Sequence, residues 1–480
     1  MRLLLLMALA PFLAAAEKPN LIVIFTDDLG YADLGCQGQE KDVRTPNLDR
    51  FAAEGLRCTA GYVTAPQCSP SRAGLITGRY QQRMGIDSIP DIPLPLEEVT
   101  IAEMLRPAGY ATGMVGKWHL EPNAVCLKWA AKHRPNLKPT GKRRINIPQS
   151  DRIAHFPAKQ GFSDHFTGEM NQFYANYELT GQDRKPGFIQ KPGFRIDLQT
   201  EGALAFIRRH RSAPFFLYLC YYAPHTPLEL AKPYVNEFPE DMPVRRRAGL
   251  SMIRGVDHGV GRIMELLKEL GIDDDTLVIF TSDNGAPIKN RKDTPITTDA
   301  GGWDGSLNTP WVGEKGMLSE GGIRVPFLVR WPGKVPAGSV SDTPVSTLDI
   351  APTALEVAGL DARDNLDGRS LMPMLEKPAE AQPERTLHWR FWNQIACRRG
   401  KWKYLSVNAE KEFLFDMESD AHETRDLSET HPEVLKSLRN ESNAWAAELK
   451  PPGPPPGRAN PQEKRWYQEY FNVELEGTSP

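Results

Sequence analysis

Short, uniformly apolar runs punctuate the chain at residues 21–25 (LIVIF), 111–115 (the weaker ATGMV), 215–221 (FFLYLCY), 277–280 (LVIF) and 325–329 (VPFLV). Their hydrophobicity is continuous rather than alternating, which marks strands buried on both faces. Between them, apolar positions recur at helical spacing over residues 45–53, 100–106, 199–209, 246–270 and 347–358. Strands that alternate with helices predict an α/β domain built on a large, mostly parallel sheet sandwiched by helices. The pattern changes after residue 375. Residues 376–385 (EKPAEAQPER) read as a linker, and the apolar pieces Tyr404-Leu405 and Phe413-Leu414-Phe415 then precede a helix near residues 432–449. Residues 386–450 are therefore expected to form a smaller C-terminal α+β subdomain. The tail, residues 451–480, opens with PPGPPPGR, a stiff and extended polyproline-like segment, and ends with Trp466, Tyr467, Tyr470 and Phe471. So many aromatic rings predict a tail that packs back on the body.

The first sixteen residues stand apart. Met1-Arg2 is followed by the apolar stretch LLLLMALAPFLAAA, a positive start and a short greasy core with an Ala-x-Ala end. That is the layout of a cleaved signal peptide, with cleavage after Ala16 and the α/β domain over residues 17–375. Pro11 and the lack of polar periodicity argue against a buried first helix, and the run is too short to span a bilayer. Glu17 rather than Cys follows, so nothing suggests a lipid anchor, and no later segment approaches membrane-spanning length. The expectation is an exported protein, periplasmic or extracellular, without a membrane anchor.

Composition narrows the choice further. Across 480 residues, 58 Lys+Arg against 61 Asp+Glu leave a net charge of −3, which gives no global pull toward nucleic acid. Apolar residues at 40% and charged residues at 25% are ordinary for a folded globular chain. The six cysteines (Cys36, Cys58, Cys68, Cys126, Cys220 and Cys397) are too scattered for a disulfide scaffold and include no CxxC pair. Any cysteine of chemical importance must act alone.

Polar residues gather where the strands end. Asp27-Asp28 follows the first run and Asp283-Asn284 the fourth, and in parallel sheets ligands bind beyond the carboxyl ends of strands. Singly, each reads as a turn, because Asp and Asn favour turns. Together they bring three carboxylates and an amide oxygen to one rim, a hard-oxygen set suited to Ca²⁺ or Mg²⁺. Two further strand ends deliver cations: Lys117 and His119 after the second run, and His225 after the third. Lys315 sits in the glycine-punctuated Gly313-Glu314-Lys315-Gly316 before the fifth. The most specific pattern is Cys68-Ser69-Pro70-Ser71-Arg72, continuing to Ile76-Thr77-Gly78-Arg79. There Ser69 reads as an N-cap and Pro70 as a first-turn residue, which would set Cys68 just ahead of a helix N-terminus, where backbone N–H groups favour anions.

At these residues the chain resembles a type I sulfatase of the alkaline phosphatase superfamily, whose signature Cys-x-Pro-Ser-Arg continues into Leu-Thr-Gly-Arg. Cys68, Pro70, Ser71, Arg72, Thr77, Gly78 and Arg79 match directly, with Ile76 in place of the usual Leu. The likeness runs from Asn20 through the fifth strand and, more loosely, through the C-terminal subdomain. It implies a sulfuric ester hydrolase of alkaline phosphatase/sulfatase-like fold. It implies that a maturation enzyme oxidises Cys68 to Cα-formylglycine, whose hydrate is the nucleophile. One Ca²⁺ is implied on Asp27, Asp28, Asp283, Asn284 and an oxygen of the modified Cys68, with Arg72, Lys117, His119, His225 and Lys315 around the sulfate.

The chemistry explains these residue types independently. A sulfate monoester is anionic, so cations must neutralise its nonbridging oxygens as charge redistributes. A serine nucleophile would leave a stable sulfate ester, whereas an aldehyde hydrate keeps a second hydroxyl that expels sulfate by C–O cleavage. Two proton tasks follow. His225 with Lys315 is assigned to the departing alcohol and His119 to the second hydroxyl, and the two histidine roles are exchangeable at this level. Lys117 and Arg72 hold the sulfate and the modified residue.

Substrate class is read from the basic segment 121–160, where Lys128, Lys132, Arg134, Lys138, Lys142, Arg143, Arg144, Arg152 and Lys159 face only Glu121 and Asp151. Such a segment could hold an anionic polymer or be a solvated surface loop. The near-repeat Lys185-Pro186-Gly187-Phe188 and Lys191-Pro192-Gly193-Phe194 is expected to add two stiff turns carrying Lys and Phe. Lys142, Arg143, Arg144, Lys185 and Lys191 are thus candidate substrate contacts. The expected substrate is a sulfated polysaccharide or its oligosaccharides, with galactose and N-acetylgalactosamine sulfates as candidates. The alternatives are a small aryl sulfate, a phosphonate monoester or phosphodiester, and a catalytically silent glycan-binding relative.

Overall fold

Ten strands form the central sheet of the computed structural model, which describes residues 18–88, 92–141, 144–288, 296, 302–455, 457 and 459–476. In chain order they are β1 (Asn20–Asp27), β2 (Leu56–Cys58), β3 (Ala111–Gly116), β4 (Asp164–Thr167), β5 (Gln172–Tyr177), β6 (Asp183–Gln190), β7 (Phe215–Pro224), β8 (Thr276–Ser282), β9 (Phe327–Arg330) and β10 (Ser339–Ser341). Their spatial order is β10-β2-β9-β8-β1-β7-β3-β4-β5-β6, and the middle five, β8-β1-β7-β3-β4, are parallel. β9 joins antiparallel to β8, so the fifth apolar run ends at the opposite rim.

Both faces of this sheet are covered, which is why its strands read as unbroken apolar runs. Along β1, Ile22 and Ile24 point into one core with helices α4 (Arg195–His210) and α5 (Val244–Glu269), whereas Leu21, Val23 and Phe25 point into the other. Helix α1 (Pro46–Ala53) joins the first layer, and α2 (Cys68–Thr77), α3 (Ile101–Leu105) and α6 (Ile350–Val357) form the second. Burying each Val, Leu or Ile side chain contributes about 1.5–3 kcal/mol, so β1 alone anchors the register of its neighbours.

A second sheet is an antiparallel meander of β11 (Thr386–Phe391), β12 (Gln394–Arg399), β13 (Trp402–Val407) and β14 (Lys411–Asp416). One face packs against helix α7 (Pro432–Ala447) through Leu435, Leu438 and Trp445. The other faces the first domain across Met317, Leu318, Tyr62 and Val63, in a cluster that also contains Trp466 and Tyr467. These two rings belong to helix α8 (Pro461–Phe471), so the tail does pack back on the body, but as a capped helix rather than as extended chain throughout. Asn460 accepts from the backbone N–H of Glu463 and the Glu463 carboxylate returns to Asn460, a capping box with Pro461 at the first helical position.

Two more local expectations are corrected. Helix α2 begins at Cys68 with Gln67 in the capping position, so Ser69 lies inside the first turn and is not the cap. Of the two Lys-Pro-Gly-Phe repeats, the first is part of edge strand β6, where residues 184–186 bulge opposite one residue of β5. Only the second leads into a helix, α4. The leader 1–16 and the candidates Lys142 and Arg143 lie outside the described residues.

Candidate active site

Four adjacent parallel strands, β8-β1-β7-β3, deliver the predicted polar residues to one rim. Parallel register aligns their carboxyl ends: Thr26 pairs with Ser282, Asp27 with Pro224, and Cys220 with Gly116. Backbone hydrogen bonds continue the alignment past the strands, with Asp283 N–H donating to Thr26 O (3.1 Å), His225 N–H to Asp27 O (3.2 Å) and Lys117 N–H to Cys220 O (2.9 Å). Glycine is required at 116: its φ is +93°, and a Cβ there would lie 1.9 Å from Cys220 O. Asp28 and His119 also adopt left-handed backbone, with φ of 65° and 56°. Strain of this kind, about 1–3 kcal/mol each, collects where side chains must be aimed for function.

Helix α2 supplies the remaining pair. Cys68 and Arg72 are four residues apart on one helix face, and both are buried. The Arg72 guanidinium donates to Asp283 Oδ2 from Nε (3.1 Å) and Nη2 (2.8 Å), and to Lys117 O from Nη1 (3.0 Å). The Lys117 ammonium binds Asp27 Oδ2, and the Lys315 ammonium binds Asp28 Oδ1 at 2.5 Å. Cys68 Sγ lies with oxygens of Asp27 and Asp283 in one group whose atoms are within 4.8 Å of one another. The structure therefore brings Asp27, Asp28, Cys68, Arg72, Lys117, His225, Asp283, Asn284 and Lys315 together, with His119 two residues beyond Lys117.

The donor set fits a hard divalent cation. Asp27 Oδ1 and Asn284 Oδ1 are buried and, among the described residues, have no hydrogen-bond partner. Leaving such atoms unpaired costs about 1–3 kcal/mol each, which a cation on them would offset. Burial alone would raise Asp27, but Lys117, His225 and Arg72 outweigh it and hold the carboxyl well below its usual range. At Asp283, burial and the neighbouring Asp27 win over Arg72 and push the carboxyl well up. Crowded carboxylates that resist joint ionisation are what a bound cation would relieve. Three carboxylates (Asp27, Asp28, Asp283) face three fixed cations (Arg72, Lys117, Lys315), so a divalent ion would make the rim net positive and ready for an anion.

The histidines are neutral in this setting. Burial lowers His119 to about 4, aided by Lys117, and lowers His225 to about 4 against the pull of Asp27. His225 Nδ1 donates to Thr226 O at 2.6 Å, which leaves Nε2, 3.8 Å from Asp28 Oδ2, facing the cluster. Burial opposes the charge on Lys315, but Asp28 and the Cys68 position outweigh it and raise the amine.

Two contributors were invisible in the sequence because they act through long-range contacts. Tyr222, within the apolar run of β7, places its ring 4.7 Å from the Lys117 ammonium and 4.5 Å from the Arg195 guanidinium. Arg195, fully buried at the start of α4, donates from Nη2 to His225 O (3.1 Å) and Pro227 O (2.5 Å) and so holds the segment that carries His225. Replacing Arg195 by Met keeps the stem but removes both donors. We expect a stability loss of about 2–3 kcal/mol in denaturant titration and a fall of about tenfold or more in kcat from misplacement of His225.

The candidate substrate contacts are dispersed. Lys191 is paired with Glu178 at 3.0 Å, Lys185 is exposed in the β6 bulge, and Arg144 is exposed. Within the basic segment, Arg134 neutralises Asp151 (2.5 Å) and Arg152 neutralises Glu121 (2.9 Å), which leaves Lys132, Lys138, Arg144 and Lys159 exposed on the same stretch. Among the described residues, all six cysteines are free thiols and no helix is long and apolar enough to cross a membrane.

Comparison with known proteins gives the same direction. The sulfatase family profile matches residues 19–360, and a profile described as N-sulphoglucosamine sulphohydrolase, C-terminal, matches residues 311–448. The chain is 33% identical over 414 residues to the N-acetylgalactosamine-6-sulfatase of Canis lupus familiaris, covering 78% of this chain and 69% of the relative. To human arylsulfatase A it is 36% identical over 390 residues, covering 77% and 70%. Among solved structures, Ps i-CgsB in complex with k-i-k-neocarrahexaose superposes with a TM-score of 0.73 at 30% identity, over 95% of this chain and 98% of that one.

Proposed function

Because the chain belongs to the sulfatase family, and so is a sulfuric ester hydrolase, we propose that it is an exported, formylglycine-dependent, Ca²⁺-binding enzyme acting on a sulfated polysaccharide or its oligosaccharides. The observation that carries this reading is the cluster around Cys68, where three carboxylates, an amide oxygen and three buried or half-buried cations converge on one thiol at the first turn of a helix. A thiol has no direct role in sulfuryl transfer, and such a concentration of charge has no structural purpose that apolar packing would not serve better.

In this reading Asp27, Asp28, Asp283 and Asn284 would hold a Ca²⁺, which would supply positive charge to an anionic substrate. Once oxidised by a maturation enzyme and hydrated, the Cys68 side chain would offer two hydroxyls on one carbon, one that could attack sulfur and one that could expel sulfate. Lys117 and Arg72 hold the sulfate and the reacting side chain. Lys315, charged, and His225, through Nε2, serve the departing alcohol oxygen. An anion placed beside neutral His225 favours its protonation, which suits a donor. His119, held neutral by burial, is the base for the second hydroxyl.

A carbohydrate substrate is favoured by two relatives: one is named an N-acetylgalactosamine-6-sulfatase, and the other was solved with a neocarrahexaose. The exposed Lys132, Lys138, Arg144 and Lys159 on the segment that begins just past His119 add an anion-attracting surface. The proposed boundaries remain a leader over residues 1–16, a catalytic domain over 17–375, a linker over 376–385, a subdomain over 386–450 and a tail over 451–480.

Mass spectrometry of the peptide containing Cys68, on protein made with its maturation enzyme, is expected to show an aldehyde in place of the thiol. An unmodified thiol in active protein would overturn the mechanism. Turnover of sulfated oligosaccharides, an aryl sulfate and an aryl phosphodiester is expected to rank in that order. A phosphodiester preference by orders of magnitude would make it a diesterase instead, and binding without turnover a silent glycan-binding protein.

A further inference from the structure

The loop that carries Lys315 is tied into the body through backbone groups and through Glu314, Met317 and Leu318. Gly313 and Gly316 punctuate it, with φ of +93° and +97°, so its backbone takes a left-handed course that its own side chains do not dictate. On its inner side, Lys315 N–H donates to Ala286 O (3.1 Å), two residues past Asn284, and Gly316 N–H donates to Pro66 O (2.9 Å), two residues before Cys68. On its outer side it is held from the C-terminal part of the chain. Gln394 Nε2 donates to Gly316 O (2.9 Å), and Gln394 Oε1 accepts from Leu318 N–H (2.9 Å) and from the Tyr467 hydroxyl (2.7 Å). The Trp466 indole lies flush on Gly316, where a Cβ would come within 2.3 Å of it, and its Nε1–H donates to Glu314 Oε1. Glu463 fixes the other partner of this clamp, accepting from Asn393 N–H (3.0 Å) and Nδ2 (2.8 Å). Trp466, Tyr467 and Glu463 are all fully buried, on a helix that lies beyond both family-profile matches, which end at residues 360 and 448.

We propose that helix α8 is a positioning element for the active site: through Trp466 and Tyr467 it seats the Glu314–Leu318 loop so that the Lys315 ammonium stays beside Asp28. The proposal rests on the reading of Lys315 as a group that assists the leaving alcohol. Trp466 and Tyr467 are positioning residues: they act on the backbone that carries Lys315, while the ammonium itself binds Asp28.

The test is a double-mutant cycle on the full-length, matured enzyme with an aryl sulfate and a sulfated sugar. Lys315→Ala is expected to lower kcat by about a hundredfold or more. Trp466→Ala is expected to lower kcat by about 10- to 100-fold with KM changed by less than about threefold, as misplacement of an acting group requires. In the Lys315→Ala background, Trp466→Ala is then expected to cost less than about twofold, because the group it positions is already absent. If Trp466→Ala costs the same factor in both backgrounds, the helix acts on stability alone and the proposal fails while the reading of Lys315 stands. If Lys315→Ala leaves kcat within about threefold, that reading falls and takes the proposal with it. Should Trp466→Ala not fold, Trp466→Phe enters the same cycle, since it keeps the ring on Gly316 and removes only the donor to Glu314.

Discussion

A Cys68→Ser enzyme is expected to attack its substrate once and stop, carrying the sulfuryl group as a stable ester. The serine hydroxyl occupies the same first-turn position, with Arg72 one turn along, Lys117 and Lys315 alongside, and Asp27 and Asp283 within the same group of oxygens. Binding and the first displacement therefore remain available. What is missing is the second hydroxyl on the same carbon, without which C–O cleavage has no electron pair to drive it. Steady-state kcat should fall by at least about four orders of magnitude, comparable with removal of a nucleophile in other hydrolases. Intact-protein mass spectrometry after incubation with substrate should show one added sulfuryl group on Cys68→Ser and none on Cys68→Ala. Multiple turnovers by Cys68→Ser at a tenth of the native rate or better would rule out a route through the hydrate.

Much of this site can be located from the sequence because the fold turns a long-range arrangement into a local pattern. A parallel strand buried on both faces must be apolar throughout, so its end is marked by the first polar residue. Asp27, Lys117, His225 and Asp283 all sit within three residues of such an end. Parallel register then converts four separate strand ends into one rim. The same logic fails at Arg195 and Tyr222. Arg195 is a charge at the start of an amphipathic helix, and only the path of the His225 segment over that helix shows what it donates to. Tyr222 is one more aromatic residue in a strand until Lys117 and Arg195 are seen to lie over its ring.

Local signals were misread at two places for opposite reasons. At Ser69, a good capping residue before proline suggests a helix start, but the helix starts at Cys68, and the buried Ser69 hydroxyl has no hydrogen-bond partner among the described residues. In the tail, the prolines obscured a helix whose capping box, Asn460 to Glu463 with Pro461 between, was present in the sequence. Its buried face combines the rings of Trp466 and Tyr467 with Glu463, whose side chain accepts from Asn393.

Asp283→Asn should separate the structural and cation-binding roles of the acidic rim. The carboxylate accepts from Arg72 through Oδ2 and from Asp28 N–H through Oδ1 at 3.0 Å, and every one of these groups is buried. Asparagine preserves the shape and one acceptor but leaves the Arg72 guanidinium with only Asp27 at 3.8 Å to balance it. Removing one partner of a buried pair costs about 3 kcal/mol or more, so the metal-free variant should unfold at clearly lower denaturant concentration than the metal-free native enzyme. The second effect is on cation response. At a Ca²⁺ concentration about a hundredfold above its dissociation constant, native protein should gain about 2.7 kcal/mol of stability relative to protein in chelator. The variant, with one hard anionic ligand gone, should gain almost nothing at that concentration, and its kcat should fall with it. A variant that loses stability but keeps the full Ca²⁺ gain would show that Asp283 serves only to anchor Arg72, and that the cation sits on the remaining oxygens.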